Sequence, residues 1–491
     1  MAGPLAPKLA LARAVGAVSR LRGGGATSAP GKVLMRMHPG ALGALGARLA
    51  RGSVLISATN GKTTTATMAA GVLEHAGVSL VHNRTGANMA GGIASTLLDA
   101  ARRHARMAGE LGLFEVDEFW LEQIAGELRP RVIVLGNLFR DQLDRYGELD
   151  TIAERWATAV RSGPASASAL VLNADDPLIA DLGREREQVT YYGVEDNTLA
   201  LAGLAHAADA KHCRRCGAPY VFEAVYLGHL GHYHCPSCGR TRPTPSVSAT
   251  DVQLRGVRSA RFTLSTPAGS AAVELALPGL YNVYNALAAA ALGTALDVPL
   301  PDIVAGLQAT RAAFGRAEKV TLTVPATGLN KRAGTSEREL QILLVKNPAG
   351  ANEVLRTLAL EPGEHDLLGV LNDAIADGRD VSWIWDADFE LLAGRVRRVT
   401  CAGTRAAELA VRLKYAGIEP ARIHVQPQLR RALEEAASDR ATGGQSSGDR
   451  GEGGGQGGGD GGPLYALPTY TAMLALRELL VERGEAQSAW T

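Results

Sequence analysis

The stretch VLISATNGKTTTATMAAGVL, residues 54–73, decides how the rest of the chain is read. Val54, Leu55 and Ile56 make the short apolar run of a buried strand, and the small and apolar residues from Thr63 onward make a helix. Between them lies Thr59-Asn60-Gly61-Lys62-Thr63-Thr64. A strand that turns at a glycine into a helix leaves backbone N–H groups free at the helix start, where the helix dipole adds about half a positive charge. Gly61 admits an anion close to the backbone, Lys62 supplies a point charge for terminal phosphates, and Thr63 offers a hydroxyl to Mg²⁺. The pattern is the tail of a phosphate loop. The usual first glycine would fall at position 56, which is Ile, so the reading is a shorter loop variant. The plain alternative is a strand–turn–helix with a fortuitous Gly-Lys-Thr.

The surroundings make this a multidomain soluble chain. Its 491 residues suffice for about three domains, 46% are hydrophobic, and the net charge is +1. No apolar run approaches the roughly 20 residues of a membrane span, and the balanced charge gives no argument for nucleic acid. The first 73 residues contain no Asp or Glu. LAPKLALARAVGAVSRLR, residues 5–22, can form a basic amphipathic helix: a docked helix, a membrane-surface segment or a transit-like segment. No secretory pattern is present, so the cytosol is the expected compartment.

Four of the five cysteines, Cys213, Cys216, Cys235 and Cys238, form two C-x-x-C pairs, each followed by a glycine. This spacing points to a closed, structural Cys₄ zinc site. Disulfides are the alternative, disfavoured in a cytosolic chain. His212, His229, His232 and His234 crowd the same segment and are read as bystanders.

Strands and helices alternate from Val54, with RVIVLGNL (131–138) and ALVLNADDP (169–177) as further strands of a parallel sheet. The expected divisions are an N-terminal arm and helix (1–50), a central ATP-binding domain (51–318) interrupted by the zinc ribbon (205–245), and a C-terminal α/β domain (319–491). Within the last, residues 437–462 are a Gly-rich insert expected to be flexible.

After ATNGKTT come, in order, FEVDE (114–118), GNLFRDQLDRYGELD (136–150), NADDP (173–177), LPGLYNVYNALAA (277–289) and FGRAE (314–318). This series resembles the Mur ligase family. LLVKNPAGANEVL, DGRDVSWIWDADFE and LPTYTAMLALRELL resemble the branch that serves as the ligase subunit of lipid II isoglutaminyl synthase. The resemblance implies an α/β fold: a Mur ligase-like central P-loop ATPase domain with an inserted Cys₄ zinc ribbon, and a C-terminal Rossmann-like domain. By the same resemblance, residues 59–64 hold ATP and Glu115, with Thr63, holds Mg²⁺. Asn137, Asp141 and Asp144 match an Asn…Asp-His-x-Asp run in which Gln142 replaces the metal-binding His. Together with the absence of Lys from residues 146–165, this puts a second Mg²⁺ in doubt. Asn282 and Asn285 match asparagines facing the base and ribose, Arg316 matches a hinge arginine, and Lys346-Asn347 stands where related ligases carry another nucleotide-facing motif.

The implied reaction is transfer of the ATP γ-phosphoryl to the α-carboxylate of D-glutamate in the lipid II stem peptide, followed by attack of ammonia to give D-isoglutamine. Glutamine hydrolysis calls for a reactive thiolate beside a histidine. Four cysteines are committed to zinc, and Cys401 lies in the apolar RRVTCAG with no histidine near it, which reads as a small buried residue. A separate glutaminase, of the GatD type by the resemblance, is implied. Asp386, or failing it Asp380, is expected to complete the partner's Cys–His pair, with Trp383 and Trp385 at the contact or simply in the core. The competing readings are a stand-alone ligase acting on a UDP-linked precursor and a non-enzymatic zinc-ribbon scaffold or nucleic-acid binder with a degenerate nucleotide fold.

Overall fold

The computed structural model describes residues 5–21, 28–83, 87–102, 106–141, 149–204, 208–311, 316–325, 335–438 and 462–486. The chain divides into two compact units, Met1–Arg311 and Ala312–Thr491. Unit 1 thus ends a little earlier than position 318 and includes the N-terminal helices, while Arg316 already belongs to unit 2.

In unit 1, β1 (Ser53–Ser57), β2 (Leu80–His82), β3 (Leu111–Glu115), β4 (Val132–Leu135), β5 (Ala169–Asn173) and β6 (Val189–Val194) run parallel. β7 (Val221–Leu227) and β8 (Leu230–His234) form a separate hairpin. β9 (Val247–Arg255) joins β6 in parallel, then β10 (Ser259–Thr266) and β11 (Gly269–Leu275) continue antiparallel. The sheet order is β11-β10-β9-β6-β5-β4-β1-β3-β2. β1 is buried along its whole length, as a strand covered on both faces must be. The chain leaves β1 toward β2, returns through β3, and crosses over β1 to β4. The carboxyl ends of β1 and β4 therefore flank a topological switch point, where such sheets bind ligands.

The N-terminal helices α1 (Leu5–Leu21), α2 (Ala29–Met37) and α3 (Ala41–Gly46) lie on this unit. Lys8 donates to the Met37 carbonyl at 2.8 Å and Arg13 to that of Leu98 at 3.0 Å, while Leu9 and Ala12 are buried. The basic helix is docked. α4 (Lys62–His75), α5 (Ala90–Ala100), α6 (Leu121–Leu128), α7 (Leu149–Arg161), α8 (Leu280–Ala295) and α9 (Leu300–Ala309) complete the layers. α4 packs on α8 and α9, where a Cβ at Gly306 would meet the Val72 backbone at 2.4 Å.

Unit 2 is a second sheet in the order β12-β13-β17-β14-β15-β16, formed by β12 (Arg316–Pro325), β13 (Thr335–Leu343), β14 (His365–Val370), β15 (Val396–Ala402), β16 (Ile423–Val425) and β17 (Leu464–Pro468). Only the β12–β13 pair is antiparallel. Its helices are α10 (Pro348–Ala359), α11 (Ala406–Tyr415), α12 (Leu429–Ala437) and α13 (Tyr470–Glu482). The DVSWIWD stretch (380–386) forms a short 3₁₀ turn, Ser382–Trp385. At the far side of this sheet the buried Arg338 pairs with Asp366. The same guanidinium donates to the carbonyls of Ala436 (2.9 Å), Ala437 (3.1 Å) and Gly462 (3.0 Å). Those carbonyls border the Gly-rich insert, whose interior lies outside the described residues.

Candidate nucleotide site and metal centre

The loop after β1 starts α4 with Gly61 as its N-cap, and no side chain caps the helix, so its first N–H groups face outward. Gly61 has φ 85°, a left-handed conformation, and a Cβ there would lie 2.1 Å from Asn285 Oδ1. Only glycine fits both demands. Asn137, on the segment leaving β4, clasps the loop from the side: it accepts from Asn60 N–H at 2.9 Å and donates to the Asn60 carbonyl at 3.0 Å. Asn285 accepts from Thr65 at 3.2 Å and donates to Asn282, which in turn donates to the Pro278 carbonyl. Both asparagines thus sit on α8 beside the loop of residues 59–64.

Glu115 ends β3, buried, and accepts from the Thr63 hydroxyl at 2.8 Å and from Asn88 at 3.3 Å. Asn83 locks its backbone from both sides at 2.9 Å. A hydroxyl and a carboxylate at a helix start are the hard oxygen donors that Mg²⁺ takes, so this pair fits that ion. Lys62 is buried too. Its ammonium donates to Glu118 at 2.8 Å and to the Ala58 carbonyl at 2.6 Å. Asp141 lies half-buried on the segment that carries Asn137, and Gln142 and Asp144 fall outside the described residues.

The other expected residues belong to unit 2 and are placed there. Arg316 opens β12. Lys346 follows β13, and Asn347 caps α10 by accepting from Gly350 N–H at 2.9 Å. Asp380 accepts from Ser382 N–H at 2.8 Å, and the backbone and hydroxyl of Ser382 hold its carboxyl below the usual range. Asp386 is exposed at the end of the 3₁₀ turn. Beside it Trp385 is 52% exposed, packed at 5.9 Å against the ring of Tyr415, itself 72% exposed. Arg412 lies under Trp385 at 5.5 Å. Cys401 is fully buried in β15, and burial pushes its thiol up to about 12.

The four ribbon cysteines converge. All four Sγ atoms lie within 4.8 Å of one another, with Cys213–Cys238 at 3.6 Å and Cys216–Cys235 at 3.4 Å. Zn–S bonds of about 2.3 Å in a tetrahedron place sulfurs about 3.8 Å apart, so the set fits zinc. None is in a disulfide. Each pair closes a knuckle, with Gly217 N–H on the Cys213 carbonyl at 2.8 Å and Gly239 N–H on that of Cys235 at 3.0 Å. Burial opposes ionisation of Cys213, but the N–H groups of Arg215 and Cys216 outweigh it and bring the thiol down to about 6, toward the thiolate that a metal takes. The histidines stand outside the cluster: His234 pairs with Glu223 at 3.0 Å and His232 with the Val194 carbonyl at 3.0 Å.

Comparison with known proteins follows this geometry. Residues 56–233 match the Mur ligase middle domain and residues 344–445 the MurT ligase C-terminal domain. The MurT subunit of lipid II isoglutaminyl synthase (glutamine-hydrolyzing) from Streptococcus pneumoniae is 32% identical over 469 residues, covering 95% of this chain and 94% of that protein. The chain belongs to the MurT family of Mur ligases. The Staphylococcus aureus MurT subunit is likewise 32% identical, over 83% of this chain and 87% of its own length. A pseudomurein peptide ligase type C from Methanothermus fervidus shares the fold, with a TM-score of 0.61 at 24% identity, covering 89% of this chain and 79% of that one. For a MurT ligase, sequence reading had overlooked Glu118 as the partner of Lys62, and Asn83 and Asn88 as supports of Glu115. Glu118 stood in the quoted FEVDE; the two asparagines have no local signature.

Proposed function

We propose that this chain is the ATP-dependent ligase subunit that amidates the α-carboxylate of D-glutamate in the lipid II stem peptide, giving D-isoglutamine with ammonia from a GatD-type glutaminase. The observation that carries the reading is the 32% identity to a MurT subunit over 95% of the chain, joined to a phosphate loop with its lysine, threonine and glutamate in place.

The chemistry follows from the residues. The N–H groups opening α4 and Lys62 cradle the phosphates of ATP, and Thr63 with Glu115 would hold Mg²⁺, which supplies charge neutralisation at the phosphoryl oxygens. The substrate carboxylate oxygen attacks the γ-phosphorus and ADP leaves, forming an acyl phosphate. Ammonia attacks the acyl carbon, the tetrahedral adduct loses a proton from nitrogen and expels phosphate, and the amide remains. Asn137, Asn282 and Asn285 hold the loop in shape. Arg316, Lys346 and Asn347 are proposed as further nucleotide-binding residues.

Free ammonia at neutral pH is almost entirely ammonium, a poor nucleophile. Of the five cysteines here, four converge as a metal set and Cys401 is sealed in β15 with its thiol pushed up. None is placed to act as a glutaminase nucleophile. A partner enzyme that delivers ammonia resolves this. Asp386, beside the exposed Trp385–Tyr415 pair, is proposed to complete that partner's Cys–His pair, with Asp380 the second candidate. Lipid II would be met at the inner membrane face by a peripheral complex; among the described residues no helix is long and apolar enough to cross a membrane.

The test is to purify the chain with a candidate glutaminase, supply lipid II, ATP, Mg²⁺ and glutamine, and weigh the product. Replacement of the stem-peptide hydroxyl by an amino group, dependent on all four, is expected. Condensation of a free amino acid onto a UDP-linked precursor without the partner would sink the reading in favour of a stand-alone ligase.

A further inference from the structure

The zinc ribbon is more than an appendage of unit 1, because its hairpin tip bears on the segment that grips the phosphate loop. Between β7 and β8 the turn brings Gly228 and His229 against Phe139. A Cβ on Gly228 would lie 2.8 Å from Phe139 Cε1, and the His229 ring packs on the Phe139 ring at 4.7 Å. His229 is fully buried, and neither ring nitrogen has a hydrogen-bond partner among the described residues; Nε2 stands 3.4 Å from Asp176 Oδ2. The buried ring is held by its packing on Phe139 and faces the Asp176 carboxylate with Nε2.

Phe139 in turn is tied to the phosphate loop. Its N–H donates to Thr59 Oγ1 at 3.1 Å, and that hydroxyl reaches the Phe139 carbonyl at 3.3 Å. Thr59 N–H donates to the Asn137 carbonyl at 2.9 Å. The same short segment is fastened from the ribbon side a second time: Arg140 N–H donates to Asp209 at 3.0 Å and its guanidinium pairs with that carboxylate. Leu138 N–H donates at 2.9 Å to the Asp176 oxygen that His229 faces. A separate route runs from the ribbon's exit. Arg242 pairs with the buried Asp175 at 2.6 Å, and Asp175 accepts from Tyr284 at 2.7 Å. Tyr284 neighbours Asn285, which abuts Gly61.

We infer that the ribbon tip, through Gly228 and His229 on Phe139, is a positioning element for ATP, setting the phosphate loop in its binding geometry. The inference rests on residues 59–64 being the phosphate loop. The Cys₄ cluster would fix the base of the hairpin whose tip does this, so that emptying it loosens nucleotide binding at a distance.

The experiment uses the full zinc-loaded chain with its glutaminase. Zinc content, calorimetric Kd for Mg-ADP, and KM for ATP, KM for ammonium and kcat are measured for His229→Ala, Phe139→Leu, His229→Phe and His234→Ala. His229→Ala and Phe139→Leu are expected to keep their zinc but raise the nucleotide Kd and the ATP KM by about tenfold, with kcat and the ammonium KM within about twofold. His229→Phe, which keeps a ring on Phe139, is expected to restore the affinity, and His234→Ala, on the ribbon but away from the tip, to behave as the unsubstituted chain. Unchanged nucleotide affinity in His229→Ala and Phe139→Leu overturns the inference, as does an equal loss in His234→Ala. If either tip variant fails to fold, stripping zinc from the unsubstituted complex decides: Mg-ADP affinity that is indifferent to zinc overturns it. Absence of Mg-ADP binding by the unsubstituted chain would instead remove the phosphate-loop reading itself, a different result from a difference between variants.

Discussion

Lys62 rests with its ammonium on Glu118 and on the Ala58 carbonyl, both buried with it. On the proposed function, a triphosphate entering the loop would have to draw that ammonium away from a carboxylate. Lys62→Ala is therefore expected to lower ATP-dependent amidation at least about a hundredfold, from loss of charge at the transferring phosphoryl group. It also removes the buried ion-pair partner of Glu118, and breaking a buried pair costs roughly 3–5 kcal/mol. The double variant Lys62→Ala/Glu118→Ala separates the two effects: stability returns and activity does not. Glu118→Gln is expected to tighten Mg-ADP binding about fivefold, on the order of 1 kcal/mol, as read by calorimetry. Weaker binding would mean that Glu118 works in the nucleotide-bound state. At this scale Gly61, Lys62, Thr63 and Glu115 were legible because each sits in a short motif. Glu118 was visible but unassigned, since its partner lies 56 positions away. Phe139 and His229 were invisible as a pair for the same reason, being 90 positions apart.

Among elements, the parallel strands and the C-x-x-C knuckles could be read directly, because apolar runs and cysteine spacing are local signals. The order of the strands could not, since β6 pairs with β9 across the inserted hairpin. Nor could the shortness of the 3₁₀ turn at Ser382–Trp385, where the Ser382 N–H turns back onto the Asp380 carboxylate within an otherwise apolar, aromatic run. Cys213→Ser is expected to release zinc and lower the melting temperature of unit 1, checked by metal analysis and calorimetry; unchanged zinc and melting would remove the metal from the account. In the second sheet, Asp366 lies between Arg338 and Arg397. Burial would push its carboxyl up, but the two guanidinium groups outweigh that and hold it below the usual range. A carboxyl so depressed contributes stability that is present above its unfolded pKa of about 3.9 and lost as pH falls through the lower folded value. Asp366→Asn should thus cost roughly 3–5 kcal/mol at neutral pH and flatten the acid limb of the stability profile. A parallel offset at every pH would assign the loss to packing.

For the whole molecule, the division into two units separates the proposed tasks: the phosphate loop lies in one, Asp386 in the other. Asp386→Asn is expected to depress glutamine hydrolysis by the complex on the order of a hundredfold or more, while ATP turnover with added ammonium stays intact. Hydrolysis at the normal rate would clear Asp386 of any part in the partner's site and turn attention to Asp380. The sequence anticipated two α/β bodies, but it set the boundary by motif, at FGRAE. The fold sets it by pairing, since Arg316 and Glu318 are already in register with Leu343 and Ile342 of β13.

Arg338 has one more consequence. By holding the carbonyls of Ala436, Ala437 and Gly462 on a single guanidinium, it brings the departing and returning chain together like the two ends of a belt at its buckle. Whatever is threaded between them adds length without asking the sheet to rearrange, because closing a longer loop costs only about 0.6 kcal/mol per doubling. A reporter or affinity handle inserted between Ser438 and Gly462, or a trimmed glycine tract there, is accordingly expected to leave melting and turnover unchanged; a lowered melting temperature would count against it.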